Sequence, residues 1–197
     1  MINMVVSMYI TLIPLILTGI FNMVFCSTAL CKKLEKPLDC GKCLKDGKRL
    51  FGDNKTFKGL VGYVVIGIIT TVFWGGINYL FPAIVEKNFI YVNHNNTVIY
   101  NVLIGALLGL AYAIFELPNS YLKRRFDVVP GKTSKGIMKY LFILLDQGDS
   151  VIGCVLVIVL VYPMSVWMYL LYVLLGMVTH FVINIFLYIF KLRKNIL

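Results

Sequence analysis

The chain has 197 residues, 59% of them apolar, and a mean hydropathy of +0.85, which excludes an ordinary soluble domain. Its formal net charge is +10. The cations lie in short segments between apolar runs, so membrane topology, anionic headgroups and phosphate ligands explain them, and nucleic acid is not the implied partner.

Runs of about 20 apolar residues predict transmembrane helices in a single membrane domain, 1–197, with no separate soluble module. The first span covers about 4–30, with Pro14 and Gly19 as the positions where it can bend. Its cations follow it, the reverse of a secretory signal peptide, so it reads as an uncleaved helix. The polar loop 31–58 holds Lys32, Lys33, Lys36, Lys42, Lys45, Lys48, Arg49, Lys55 and Lys58, interleaved with Asp39, Asp46 and Asp53. The second span covers about 59–85, and the third about 98–117, ending at Pro118. A second basic loop, 118–139, carries Lys123, Arg124, Arg125, Lys132, Lys135 and Lys139. The fourth span, about 137–163, and the fifth, about 166–190, are joined by a turn without a basic residue, and Lys191, Arg193 and Lys194 close the chain.

Basic residues after successive spans number nine, one, six, none and three. The positive-inside rule then predicts an all-α integral membrane protein of five transmembrane helices, N-terminus outside and C-terminus cytosolic. Both motif-rich loops fall on the cytosolic side.

The five cysteines do not form a disulfide framework. Cys40-Gly41-Lys42-Cys43 lacks a second pair and reads as reduced thiols. Asn95-Asn96-Thr97 is a three-residue sequon match, treated as chance. No Ser-His-Asp or Cys-His set lies on one side, so covalent catalysis has no support. His180, within the last span, reads as a helix–helix hydrogen-bonding residue. Trp74, Tyr79, Trp167, Tyr169 and Tyr188 read as interfacial belt or packing.

Asp146-Gln147-Gly148-Asp149-Ser150 lies within the fourth span. At about 100° per residue, Asp146, Asp149, Ser150 and Gly153 share one helical face. An acid at a helix centre in lipid costs roughly 2.5–3.5 kcal/mol, so two of them call for a cation, water or a partner. Phe51-Gly52-Asp53-Asn54-Lys55-Thr56-Phe57-Lys58-Gly59 sets glycines, an acid, lysines and a hydroxyl before a helix start, a composition suited to phosphate. Pro130-Gly131-Lys132-Thr133 fails as a P-loop, because position 126 is Phe126 and no strand precedes it. The three adjacent cations Lys123, Arg124 and Arg125, which follow Glu116-Leu117-Pro118-Asn119 and Ser120, could clamp phosphates or hold headgroups. Glu116, at the end of a span, is placed at the interface.

Together with Pro37-Leu38-Asp39-Cys40-Gly41 and Pro118-Asn119-Ser120, these motifs resemble the CDP-archaeol synthase family, in order from Pro37 onward. A more distant likeness is to phosphatidate cytidylyltransferase, whose Ser-x-aliphatic-Lys-Arg and paired acids match Ser120, Leu122, Lys123, Arg124, Asp146 and Asp149. The His-Gly-Gly before that family's acids is absent, and residues 132–139 cannot be aligned to it.

The resemblance implies a CTP-dependent nucleotidyltransferase of the cell membrane. It would transfer CMP from CTP to an isoprenoid ether-lipid phosphate, with Mg²⁺ held by Asp146 and Asp149. Lys123 and Arg124 would join those acids as catalytic residues. Gly52, Asp53, Lys55, Thr56, Asn119, Ser120, Arg125 and Asp39 would bind substrate. A CDP-diacylglycerol-type synthase is the nearest alternative. A lipid or ion transporter using the acid pair as a coupling-ion site explains the acids, but not why the polar motifs gather on one side.

Overall fold

A computed structural model describes residues 2–132, 134 and 136–190. Thr133, Lys135 and the basic cluster Lys191–Lys194 used in the charge count lie outside the described residues.

Among the described residues five helices are long and apolar enough to cross a membrane: α1 (Ile2–Ser27), α2 (Phe57–Leu80), α4 (Val98–Arg125), α5 (Ile137–Val161) and α6 (Val166–Ile189). A one-turn helix, α3 (Pro82–Val85), follows α2. The second apolar run is thus not a single helix to residue 85. Phe81 precedes Pro82 and is extended (φ −126°, ψ 81°), as proline's clash with the preceding residue favours.

The larger correction concerns the third span. It does not end at Leu117, because α4 continues through Pro118 for two more turns to Arg125. Proline removes one backbone donor without ending the helix. Hydropathy falls there because the chain turns polar, not because the helix stops. Glu116, Asn119, Ser120 and Lys123 consequently stand at i, i+3, i+4 and i+7 on one helical face.

The bundle centres on α2 and α4. Gly67, Gly105 and Gly109 let the two backbones meet: a Cβ on Gly109 would lie 2.1 Å from the Tyr63 carbonyl oxygen, and one on Gly105 2.5 Å from that of Gly67. In lipid such close approach replaces hydrophobic drive as the source of helix association. Gly109→Val should therefore cost on the order of 3 kcal/mol by forcing backbone apart. The check is the thermal midpoint of the detergent-solubilised protein, and an unchanged midpoint would refute this contact.

α1 packs on α2 through polar contacts. Trp74 Nε1 donates to Ile10 O at 3.0 Å, and the Thr18 and Thr70 hydroxyls pair at 2.8 Å. Gly19 makes room for Tyr112, whose hydroxyl is 3.1 Å from where a Cβ would stand. α6 packs on α5 and meets α1 more sparsely, where Tyr172 OH donates to Met8 O at 2.9 Å and Thr179 Oγ1 to Tyr9 OH at 3.3 Å. A cleft is left between them.

The end of the bundle away from the basic loops is packed. Phe89, Ile90 and Tyr91, from the segment after α3, are buried against Met8, Leu12, Val155, Ile158 and Tyr172. Asparagines pair the polar groups there: Asn88 Nδ2 donates to Asn78 Oδ1, Tyr91 OH to Asn101 Oδ1, and Asn96 Nδ2 to the backbone Gly75 O.

Candidate functional site at the basic end of the bundle

The first loop is held in shape by its own charges. Asp39 accepts from Arg49 Nη2 at 2.6 Å and Nε at 3.1 Å, and from the backbone N–H groups of Gly41, Phe51 and Gly52. Desolvation opposes ionisation, but these donors hold the Asp39 carboxyl well below the usual carboxylate range. Arg49 also binds Asp53 at 3.0 Å. Arg125 pairs with Asp46 and donates to Arg49 O, and Lys48 reaches Asp127 at 2.8 Å, so the loop is tied to the end of α4. Gly52 (φ +94°) sits where a Cβ would be 2.9 Å from Pro130 Cγ, interlocking the two polar loops.

Beneath this lid-like loop lies a cavity of about 750 Å³. Asn54, Lys55, Thr56, Lys132 and Arg124 line its polar mouth, and Glu116, Asn119, Ser120, Lys123, Asp146 and Asp149 line its wall. An apolar arm continues along α1 (Leu12, Leu15, Ile16, Ile20) and α6 (Ile183, Leu187). The cavity therefore runs from the charged end into the cleft between α1 and α6.

The helical face of Asp146, Asp149, Ser150 and Gly153 turns toward α4. A Cβ on Gly153 would strike Phe115, so this glycine brings the acids close to the α4 wall. Asn119 Nδ2 bridges both acids, at 2.7 Å to Asp146 Oδ1 and 2.8 Å to Asp149 Oδ2. Lys123 Nζ grips both oxygens of Asp146, at 2.5 and 2.6 Å. Among the described residues, Asn119 Oδ1 is buried without a hydrogen-bond partner, as are Arg124 Nε and Nη1. Orphaned buried polar atoms in a cavity are where a polar ligand is accommodated.

Lys55 pairs with Glu116 across the mouth, and Tyr63 OH donates to the other Glu116 oxygen at 3.2 Å. Burial opposes the Lys55 charge, but Glu116, with Asp149 and Asp146 also acting on it, keeps its pKa above the usual lysine value. Lys55 is therefore cationic at neutral pH.

The donor set fits Mg²⁺. That ion is commonly held by one or two carboxylates, with phosphate oxygens and water completing an octahedron. Asp146 and Asp149, bridged by Asn119 Nδ2, would supply the carboxylates. Among the described residues no group of three or more His, Cys, Asp or Glu side chains is arranged for a metal, so an all-protein cage is not the geometry on offer.

Of the residues expected from sequence, Asp146, Asp149, Lys123, Arg124, Lys55, Thr56, Asn119 and Ser120 line the cavity. Gly52, Asp53, Arg125 and Asp39 do not: the charged side chains hold the loop together, and Gly52 is pressed against Pro130. The Thr56 hydroxyl accepts from Gly59 N at 3.1 Å, capping α2. His180 Nδ1 lies 3.3 Å from Gln147 O, the helix–helix contact expected, and the residue also lines the cavity. The cavity lining also includes Glu116, placed at the interface, Asn54, part of the phosphate-suited stretch, Lys132, in the unaligned segment, and Tyr63, none of them among the expected site residues. For Glu116 the signal existed in its spacing to Asn119 and Lys123, once the helix is known to pass Pro118.

Fold and site together define a multi-pass membrane protein that concentrates paired acids and lysines in a cavity running from the charged end of the bundle along α1 and α6. The CarS-like family model, described as CDP-archaeol synthase, matches residues 1–196, and the chain belongs to that family. It is 30% identical to the CDP-archaeol synthase of Methanoculleus marisnigri over 170 residues, covering 80% of this chain and 87% of that one. It is 28% identical to the CDP-archaeol synthase of Methanocaldococcus jannaschii over 153 residues, 77% and 78% of the two chains. A solved structure of an intramembrane enzyme for archaeal membrane lipid biosynthesis shares the fold, with a TM-score of 0.60 over 89% of this chain and 91% of that one, at 21% identity.

Proposed function

We propose that the chain transfers CMP from CTP to an isoprenoid ether-lipid phosphate, yielding the CDP-lipid and pyrophosphate. The observation carrying this reading is the shape of the cavity: phosphate-seeking cations and the acid pair share one chamber with an apolar arm that opens between α1 and α6. A water-soluble triphosphate and a lipid phosphate can meet there without the lipid leaving the bilayer.

A lipid phosphate oxygen forms the new bond to the α-phosphorus of CTP, and the bond from that phosphorus to the α–β bridging oxygen breaks, releasing pyrophosphate. The attacking phosphate is already an anion, so no general base is needed, and the chain's task is positioning and charge neutralisation. Lys55, Lys132 and Arg124 at the mouth hold the triphosphate oxygens, and the two unpartnered Arg124 nitrogens are donors for that purpose. Asn119 fixes the spacing of Asp146 and Asp149. Asp146 and Asp149 would hold Mg²⁺, whose charge would neutralise the triphosphate and the leaving group. Leu12, Leu15, Ile16 and Leu187 accept the isoprenoid chains. The N-terminus lies outside and the cavity faces the cytosol, where CTP is available.

The test incubates purified protein with labelled CTP, Mg²⁺ and a panel of ether- and ester-linked lipid phosphates, and follows CDP-lipid and pyrophosphate. Preference for the isoprenoid ether substrate is expected. Preference for diacyl phosphatidate would move the chain to the ester reading, and no product from any lipid would overturn the function.

A further inference from the structure

Two membrane-end lysines of this chain are paired with glutamates, and they differ in what their ammonium groups do. Lys58 Nζ uses all three of its N–H bonds: on Glu35 at 2.9 Å, Thr28 O at 2.7 Å and Cys26 O at 3.3 Å. It thereby closes the last carbonyls of α1, a structural task. Lys55 Nζ, among the described residues, donates to Glu116 alone, and it lines the cavity. Its remaining N–H bonds are available to a ligand.

Glu116 is itself braced from two helices. It stands on α4, and its second oxygen accepts from Tyr63 OH on α2 at 3.2 Å. The Tyr63 ring stacks on Tyr112, one turn before Glu116 on α4, with centroids 4.2 Å apart and planes at 21°. The carboxylate is thus a fixed anchor on the face that carries Asn119 and Lys123. Lys55, by contrast, sits on the loop before α2, on a four-carbon stem that would reach for water if released. Glu116 draws it toward the acid pair instead.

We infer that Glu116 is a positioning residue for Lys55: braced by Tyr63, it holds the Lys55 ammonium inside the cavity with its free N–H bonds presented to the phosphate oxygens of CTP. Glu116 touches neither substrate nor metal, and it acts through the lysine. The inference rests on the cytidylyltransferase reading above.

The test is a double-mutant cycle in the full chain, read as KM and kcat for CTP and KM for the lipid phosphate. Glu116→Gln is expected to raise the CTP KM about tenfold, with kcat and the lipid KM changed by less than about threefold. Tyr63→Phe should shift the CTP KM in the same direction by about two- to threefold. Lys55→Ala raises the CTP KM at least as much, and adding Glu116→Gln to it costs nothing further or restores part of the loss, because the carboxylate left alone repels phosphate. Losses that multiply in the double variant, or a fall in thermal midpoint that accounts for the Glu116→Gln loss, would overturn the inference. So would a Glu116→Gln variant with altered Mn²⁺ affinity and an unchanged CTP KM, which would place Glu116 on the metal. If the wild-type chain fails to turn over CTP, function and inference fall together. If it turns over and the losses multiply, this inference falls alone.

Discussion

Asp149→Asn is expected to lower CTP turnover on the order of 10³-fold while leaving the fold in place. The side chain keeps its volume and loses the charge with which, on the proposed reading, it would hold Mg²⁺. The structure also shows how the variant can stay folded. Asp149 accepts from Ser150 N at 2.6 Å and from Asn119 Nδ2 at 2.8 Å. An asparagine at 149 can keep its amide oxygen on Asn119 Nδ2, so the bridge to Asp146 survives, and it gives up only the bond from Ser150 N. Thermal midpoint and detergent-solubilised yield should therefore stay near wild type, and Mn²⁺ binding in the presence of CTP should weaken with activity. Near-normal turnover would remove Asp149 from the metal role. Lost activity with a collapsed midpoint would mark it as structural.

The five spans are legible because each is an apolar run close to bilayer thickness, bounded by polar segments. The helix ends are less legible, since hydropathy reports where the chain leaves lipid and not where backbone hydrogen bonding stops. Pro118 compounds this: its missing N–H suggested a boundary, yet α4 carries on to Arg125 and converts an expected loop cluster into an ordered helical face. The acid pair on the fourth span is legible from the cost of burying charge in lipid. The loop acids are not, because their partners depend on how the chain folds back. Asp39 finds Arg49 ten residues away and the N–H groups of Phe51 and Gly52 beyond it, a set no local pattern announces. In a phosphate-rich motif an aspartate suggests a ligand, whereas here Asp39 organises the loop that presents Asn54, Lys55 and Thr56.

Lys123→Met should separate metal binding from transfer, moving them in opposite directions. Lys123 Nζ lies within 2.6 Å of both oxygens of Asp146, so if that carboxylate holds Mg²⁺ as proposed, the ammonium and the metal would compete for one acid. Removing the ammonium leaves Asp146 without its charge partner, and Mn²⁺ affinity without nucleotide should rise about tenfold, or ~1.4 kcal/mol. Methionine preserves the apolar stem that carries the ammonium to 5.8 Å from the Phe142 ring centroid, which limits the packing loss. Transfer should fall on the order of 10²-fold, because the ammonium freed from Asp146 in the loaded site is a donor to the phosphate oxygens, and the variant has none. Electron paramagnetic resonance of Mn²⁺ and initial rates with CTP measure the two effects separately. If both metal affinity and transfer fall, Lys123 supports the geometry of the acid pair. If metal affinity is unchanged, the two cations do not compete for Asp146.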